Sequence, residues 1–289
     1  MQAGREKIIN WILFTGLSFI WGSSFILMKE GMKTLTAYQV ASIRILSAGL
    51  VLLPFAIRQF RKIPPDKWGL IFLSGLLGSF FPAYLFCIAE TKIDSSLASF
   101  FNALTPIFTL ILGILFFKNK FRQNQWPGVL IGFAGMLLLF IGRGTDTSYV
   151  SYSFYVLIAT LCYAVNANMV SWYLKEVGSV NIAALAFGSL IIPSFLILFI
   201  TGFFDLPLDK TAILMSSGAG IVLGVLGTAI ASILFYALLK KAGVLFTSMV
   251  TYGIPFVALF WGLIAGENIN FWQLLGLSII LSGVYITNK

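Results

Sequence analysis

The polar side chains that could do chemistry lie within apolar runs, and almost none of them is charged. Arg44 is the one formal charge clearly inside a helix-length hydrophobic stretch. Ser99, Asn102 and Thr105 recur at three-residue steps just before Pro106, and Ser248, Thr251 and Tyr252 stand just before Pro255. Asn166 and Asn168 interrupt one further run, and Trp21 and Ser24 an earlier one. Tyr84, Tyr163 and Tyr236 also lie inside runs. Such groups exchange hydrogen bonds and offer aromatic faces. All 10 Asp and Glu residues fall in loops or at helix ends, and histidine is absent. That removes histidine-based metal sites, HExxH hydrolysis and the usual catalytic triad. No catalytic set, metal site or cofactor is expected. The chemistry left to these residues is reversible binding.

The elements that hold them must be membrane helices. Hydrophobic residues make up 59% of the chain and charged residues 10%, against about 25% charged in a soluble domain. The apolar runs are roughly 20 residues long, enough to span about 30 Å of hydrocarbon. The net charge of +9 sits in short loops between runs, not on one soluble face, so nucleic acid is not an expected partner. The expected partners are lipid and a small-molecule solute. The first run starts near Asn10 and shows no small-x-small cleavage site before Lys29, so it is read as a helix and not as a leader. Cys87 and Cys162 both fall inside runs, which argues against a disulfide framework.

The pattern predicts an all-α polytopic protein with ten transmembrane helices near 10–28, 37–57, 68–89, 95–117, 126–142, 152–173, 181–203, 213–239, 244–264 and 271–287. One stretch occurs twice. Laying 75–106 on 224–255 without a gap matches Gly75 with Gly224, Leu77 with Leu226, Gly78 with Gly227 and Leu85 with Leu234. It also matches Phe86 with Phe235, Lys92 with Lys241, Ser99 with Ser248 and Pro106 with Pro255. Beyond the prolines, Gln125, Gly128, Ile131 and Gly135 match Gln273, Gly276, Ile279 and Gly283. The predicted repeats are 1–145 and 146–289. With the N-terminus inside, thirteen of the 19 Lys and Arg residues fall in inner segments and five in outer ones. That bias predicts cytoplasmic termini. Five helices is an odd number, so the second repeat enters the membrane inverted. Inverted repeats place their solute sites near the midplane between the halves.

Trp21-Gly22-Ser23-Ser24-Phe25, Arg44 in the second helix, and two repeats that each end in a Pro followed by Gln-x-x-Gly resemble the drug/metabolite transporter superfamily. The resemblance covers essentially the whole chain and is nearest to the ten-helix EamA-type members. It implies a secondary transporter or facilitator that exports a small organic metabolite, such as an amino acid or related solute, from a bacterial cytoplasmic membrane. In that family a Gly-Glu pair commonly precedes the last helix of each repeat. Gly266-Glu267 fits, whereas the first half has Lys118-Asn119 instead. A structural or receptor subunit and an ion channel remain alternative functions.

Each polar residue carries two readings. Arg44 could attract a substrate carboxylate, or could snorkel to the outer interface and bind helix-end carbonyls. Ser99, Asn102, Ser248, Thr251 and Tyr252 could face a central site, or could draw helices together in lipid. Pro106 and Pro255 are read as hinges, since each removes a backbone donor and frees the carbonyl four residues earlier. Trp21 and Ser24 hold roughly the repeat positions of Tyr163 and Asn166, and with Tyr84 and Tyr236 they suit a pocket for an organic solute. The glycines at 75, 78, 128, 132 and 135, with 224, 227, 276 and 283, read as close-packing surfaces.

Overall fold

A computed structural model describes residues 2–93, 95–119, 121–123, 125–143, 150–264 and 271–287. Their regular structure is entirely helical. The first half of the chain contributes α1 (Gln2–Gly31), α2 (Ala37–Gln59), α3 (Pro65–Glu90), α4 (Ser95–Asn102 and Thr105–Phe117) and α5 (Gln125–Arg143). The second half contributes α6 (Ser153–Tyr173), α7 (Ser179–Ile200) and α8 (Thr211–Ala242). It ends with α9 (Val244–Ser248, Met249–Tyr252 and Ile254–Ile264) and α10 (Phe271–Thr287). Among the described residues seven helices, α1 to α4 and α6 to α8, are long and apolar enough to cross a membrane, and α5, α9 and α10 carry shorter apolar stretches. Their outer faces leave Leu115, Phe116, Ile192, Ile200 and Met215 largely exposed. A surface of that kind fits lipid and would be a liability in water. The protein is an all-α, polytopic membrane protein. Gly266-Glu267 and the 144–149 part of the predicted repeat boundary lie outside the described residues.

The two copies of the repeated stretch are distorted at matching places. Leu76–Phe80 in α3 and Val225–Ile230 in α8 are π-helical turns. Pro82 follows the first, but Ala231 stands at that place after the second. Proline is therefore not the shared feature; the glycine pair at Gly75 and Gly78 is, repeated as Gly224 and Gly227. Wide turns of this type are rare and cluster at functional sites.

The helices expected over 95–117 and 244–264 are not continuous. α4 breaks after Asn102 and restarts at Thr105, with Pro106 in its first turn. α9 tightens to a 3₁₀ turn over Met249–Tyr252 before restarting at Ile254, again with Pro in the first turn. A proline in the first turn lacks an N–H that would have no partner there anyway. The Asn102 carbonyl accepts the Thr105 hydroxyl at 2.6 Å, which satisfies the break.

Small residues set the close approaches. A Cβ built on Gly135 of α5 would lie 2.7 Å from the Gly276 carbonyl oxygen of α10, and one on Gly283 of α10 would lie 2.6 Å from the Gly128 carbonyl oxygen of α5. α2 meets α7 in the same manner, Gly49 facing the Phe187 carbonyl and Gly188 facing Ala56. α2 begins with a capping box in which Thr36 Oγ1 accepts from Gln39 N and Thr36 N donates to Gln39 Oε1. The Gln39 amide also donates to the Thr201 carbonyl at 3.0 Å, pinning α2 to α7. The buried apolar side chains form two cores. One is built on α2, α3, α6, α7 and α8, the other on α5, α9 and α10 with Phe14 and Leu17 of α1, and Trp21 and Phe235 pack against both.

Candidate functional site

Between those cores lies a cavity. Its lining comes from α1 (Trp21, Ser24, Phe25, Met28), α2 (Arg44), α3 (Gly78, Phe86) and α4 (Asn102, Thr105) on one side of the sequence. On the other it comes from α6 (Tyr163, Asn166, Ala167), α8 (Ser232, Phe235, Tyr236) and α9 (Ser248, Thr251, Ile254). Ten of the polar and aromatic residues singled out from the sequence meet here: Trp21, Ser24, Arg44, Asn102, Thr105, Tyr163, Asn166, Tyr236, Ser248 and Thr251. Much of the lining falls in matched pairs. Trp21 and Ser24 face it from α1 as Tyr163 and Asn166 do from α6; Phe86 has Phe235, and Asn102 has Thr251.

Most polar groups at the wall are already engaged. Trp21 Nε1 donates to the Gly227 carbonyl at 3.1 Å, inside the α8 π-turn. Ser24, Ser248 and Thr251 each donate their hydroxyl to a carbonyl of their own helix, at 2.9, 2.7 and 3.1 Å. The Tyr236 hydroxyl shares a hydrogen bond with Ser74 at 3.0 Å, and Asn166 Nδ2 donates to it at 3.5 Å. A Cβ on Gly78 would collide with that asparagine and lie 3.2 Å from that hydroxyl, so only glycine leaves room for the pair at the α3 π-turn. Trp21 and Phe235 are 5.5 Å apart, and Phe86 and Tyr163 stack at 6.2 Å, so the polar groups are set in aromatic walls.

Arg44 is buried, and it is the only charged residue among the described lining. Its Nε donates to Thr228 Oγ1 at 2.6 Å, and Thr228 donates on to the Leu223 carbonyl at 3.2 Å. Arg44 therefore ties α2 to the α8 π-turn and does not reach away to an interface. The partnership was not legible beforehand, because Thr228 stands alone in an apolar run. Ser232 was missed too, although it precedes Tyr236 by one helical turn on the same face.

Tyr84, Ser99 and Tyr252 lie outside this lining. Tyr84 shares a 2.7 Å hydrogen bond with Ser42 and borders a separate apolar groove with Tyr38, Phe80 and Cys162. Tyr252 is fully buried, its hydroxyl donating to the Val129 carbonyl at 3.0 Å and its ring against Gly132. Ser99 is buried in the first piece of α4. Pro106 and Pro255 each sit just past a helix break, beside lining residues Thr105 and Ile254. Asn168 serves packing: Nδ2 donates to the Thr109 and Ala164 carbonyls, and Oδ1 accepts from Asn119 at 2.7 Å.

Comparison with known proteins gives this arrangement a lineage. A relative named as an uncharacterized transporter, YdfC of Bacillus subtilis, is 27% identical over 288 residues, covering 98% of this chain and 92% of its own. An inner membrane transporter of Escherichia coli, YedA, is 34% identical over 125 residues, 43% of this chain and 40% of its own. A crystal structure with 15% sequence identity superposes with a TM-score of 0.71 over 98% of this chain and 97% of that one, so the two share a fold. The EamA-like transporter family model matches twice, over residues 9–141 and again over 150–289. The chain thus belongs to the EamA-like transporter family, and it is a multi-pass membrane transporter.

Proposed function

We propose that the protein is a secondary transporter or facilitator that exports a small organic metabolite, an amino acid or related solute, across a bacterial cytoplasmic membrane by alternating access. The reading takes the chain as ten crossings in two inverted five-helix repeats, 1–145 and 146–289, with both termini cytoplasmic. One observation carries it. The cavity is walled mainly by matched helices from the two halves, α1 with α6, α3 with α8 and α4 with α9; α2 adds Arg44 without a counterpart from α7, and α5 and α10 stay out of it. A site at the junction of two related halves can be opened to either side by rocking one against the other. The broken helices at Pro106 and Pro255 and the paired π-turns supply places where that motion can be absorbed. The test begins by comparing metabolites in the medium of cells with and without the protein. Those that differ are then followed as labelled solutes in proteoliposomes. Counterflow is the expected result. Flux without counterflow describes a channel, and absence of flux describes a structural subunit; either overturns the proposal.

A further inference from the structure

The free hydrogen-bonding groups of the cavity define its solute more narrowly than its size or aromatic walls do. Arg44 is 9% exposed, and its bond to Thr228 is its only hydrogen bond among the described residues. The remaining guanidinium N–H groups have no protein acceptor there. α7, which packs against α2, carries no charged residue that could answer it. Glu90 is buried on α3, one helical turn beyond Phe86, but is not part of the lining. A guanidinium held away from water without a facing carboxylate is expensive, and an incoming anion relieves that cost. The side-chain NH₂ of Asn102 points to the same class, since it too makes no hydrogen bond among the described residues. The indole of Trp21 and the hydroxyls of Ser24, Ser248 and Thr251 already donate to backbone. The lining offers an ammonium group no opposite charge, since it contains no carboxylate among the described residues, whereas it offers a carboxylate the Arg44 guanidinium. Within the lining, Oδ1 of Asn166 is buried without a partner, and the hydroxyls of Tyr163 and Ser232 make no hydrogen bond among the described residues.

We infer that the cavity takes monovalent organic anions, with a carboxylate met by Arg44 and Asn102, no free ammonium, and an apolar or aromatic body against Trp21, Phe86 and Phe235. An N-acylated amino acid fits that description: its carboxylate can meet the two donors, its amide is neutral, and its side chain supplies the body. This narrows the solute class proposed above and rests on that reading only for movement of the solute, since binding can be measured alone.

Calorimetry on the full chain in lipid nanodiscs, at mildly acidic pH, compares N-acetylphenylalanine (carboxylate only), phenylalanine (both charges), phenylalaninamide (ammonium only) and acetate (carboxylate without a body). The expected order of affinity is N-acetylphenylalanine, then phenylalanine, with phenylalaninamide and acetate weakest. Arg44→Gln should weaken N-acetylphenylalanine by roughly tenfold to a hundredfold, the worth of a charged hydrogen bond. Arg44→Lys should fall between that variant and wild type, because a point charge replaces a planar fork. Should Arg44→Gln fail to fold, the order of the probes on the wild-type protein decides alone. Tighter binding of phenylalaninamide or phenylalanine, equal binding of all probes, binding of none, or an Arg44→Gln protein that keeps wild-type affinity for N-acetylphenylalanine overturns the inference. Counterflow separates it from the transport reading. Binding in the expected order without counterflow keeps the anion site and removes transport. Counterflow of phenylalaninamide in preference to the anion keeps transport and removes the anion site.

Discussion

At the scale of single residues, Asn102 combines two properties that rarely coincide in a membrane helix. Its backbone carbonyl is satisfied by Thr105, so the break in α4 does not depend on the asparagine side chain. Its side-chain Oδ1 accepts from Thr105 only at 3.3 Å, and its amide nitrogen bonds nothing among the described residues. Asn102→Ala should therefore leave folded protein in the membrane and lower transport by about tenfold, the worth of one hydrogen bond to solute. Quantifying flux per folded molecule checks this; a loss of flux matched by a loss of protein would mark Asn102 as a packing residue. Arg44, Asn102 and Asn166 were legible in the sequence because a charge or an amide in an apolar run demands a reason. Thr228 and Ser232 were not, since a lone hydroxyl in such a run can always donate to its own helix. Tyr252 was grouped with Ser248 and Thr251 on the assumption of a regular helix. The 3₁₀ turn over Met249–Tyr252 winds more tightly, and the ring packs on Gly132 instead.

At the scale of helices, the glycines differ in what a side chain there would meet: backbone at some, another side chain at others, and nothing within 4 Å at a few. A Cβ on Gly283 would meet the Gly132 Cα at 2.7 Å and the Gly128 carbonyl oxygen at 2.6 Å, and backbone atoms cannot swing aside. Gly283→Ala should destabilise the protein by about 1–3 kcal/mol, the usual cost of overpacking, read as a lowered melting temperature in detergent. Gly218→Ala in α8 should be neutral or slightly stabilising in the same assay, because nothing lies within 4 Å of its Cβ and alanine is the better helix former. Destabilisation at both positions alike would show that helix propensity, not the seam, governs the result. The sequence indicated that glycines at repeat-matched positions pack closely and that the chain is helical, but not that the helices expected over 95–117 and 244–264 are interrupted. It did not reveal the π-turns of α3 and α8. An extra residue in one turn leaves the apolar pattern of a fully hydrophobic run unchanged, so only the backbone discloses it.

At the scale of the whole molecule, the distribution of Lys and Arg predicts that reporters fused to either terminus will register as cytoplasmic, and an external C-terminus would dismantle the inverted arrangement. Energy coupling follows from the lining. The described wall of the cavity holds no carboxylate and no histidine, the side chains that relay protons in most transporters. Counterflow in proteoliposomes should survive collapse of the pH gradient. Strict dependence on an imposed gradient, abolished by Glu90→Gln or Glu267→Gln, would instead assign coupling to that carboxylate. The glycine seam of α5 and α10 bears on how the molecule is made as well as on how it holds together. α5 leaves the ribosome long before α10, and α6 to α9 must be inserted in the interval. Until α10 arrives, Gly128 and Gly135 lack the helix that their backbone meets, although Tyr252 of α9 reaches Gly132 sooner. Assembly of this protein is thus a problem of waiting: a backbone-to-backbone helix seam joins segments separated by half the chain, and the first of them must be kept available until the second arrives.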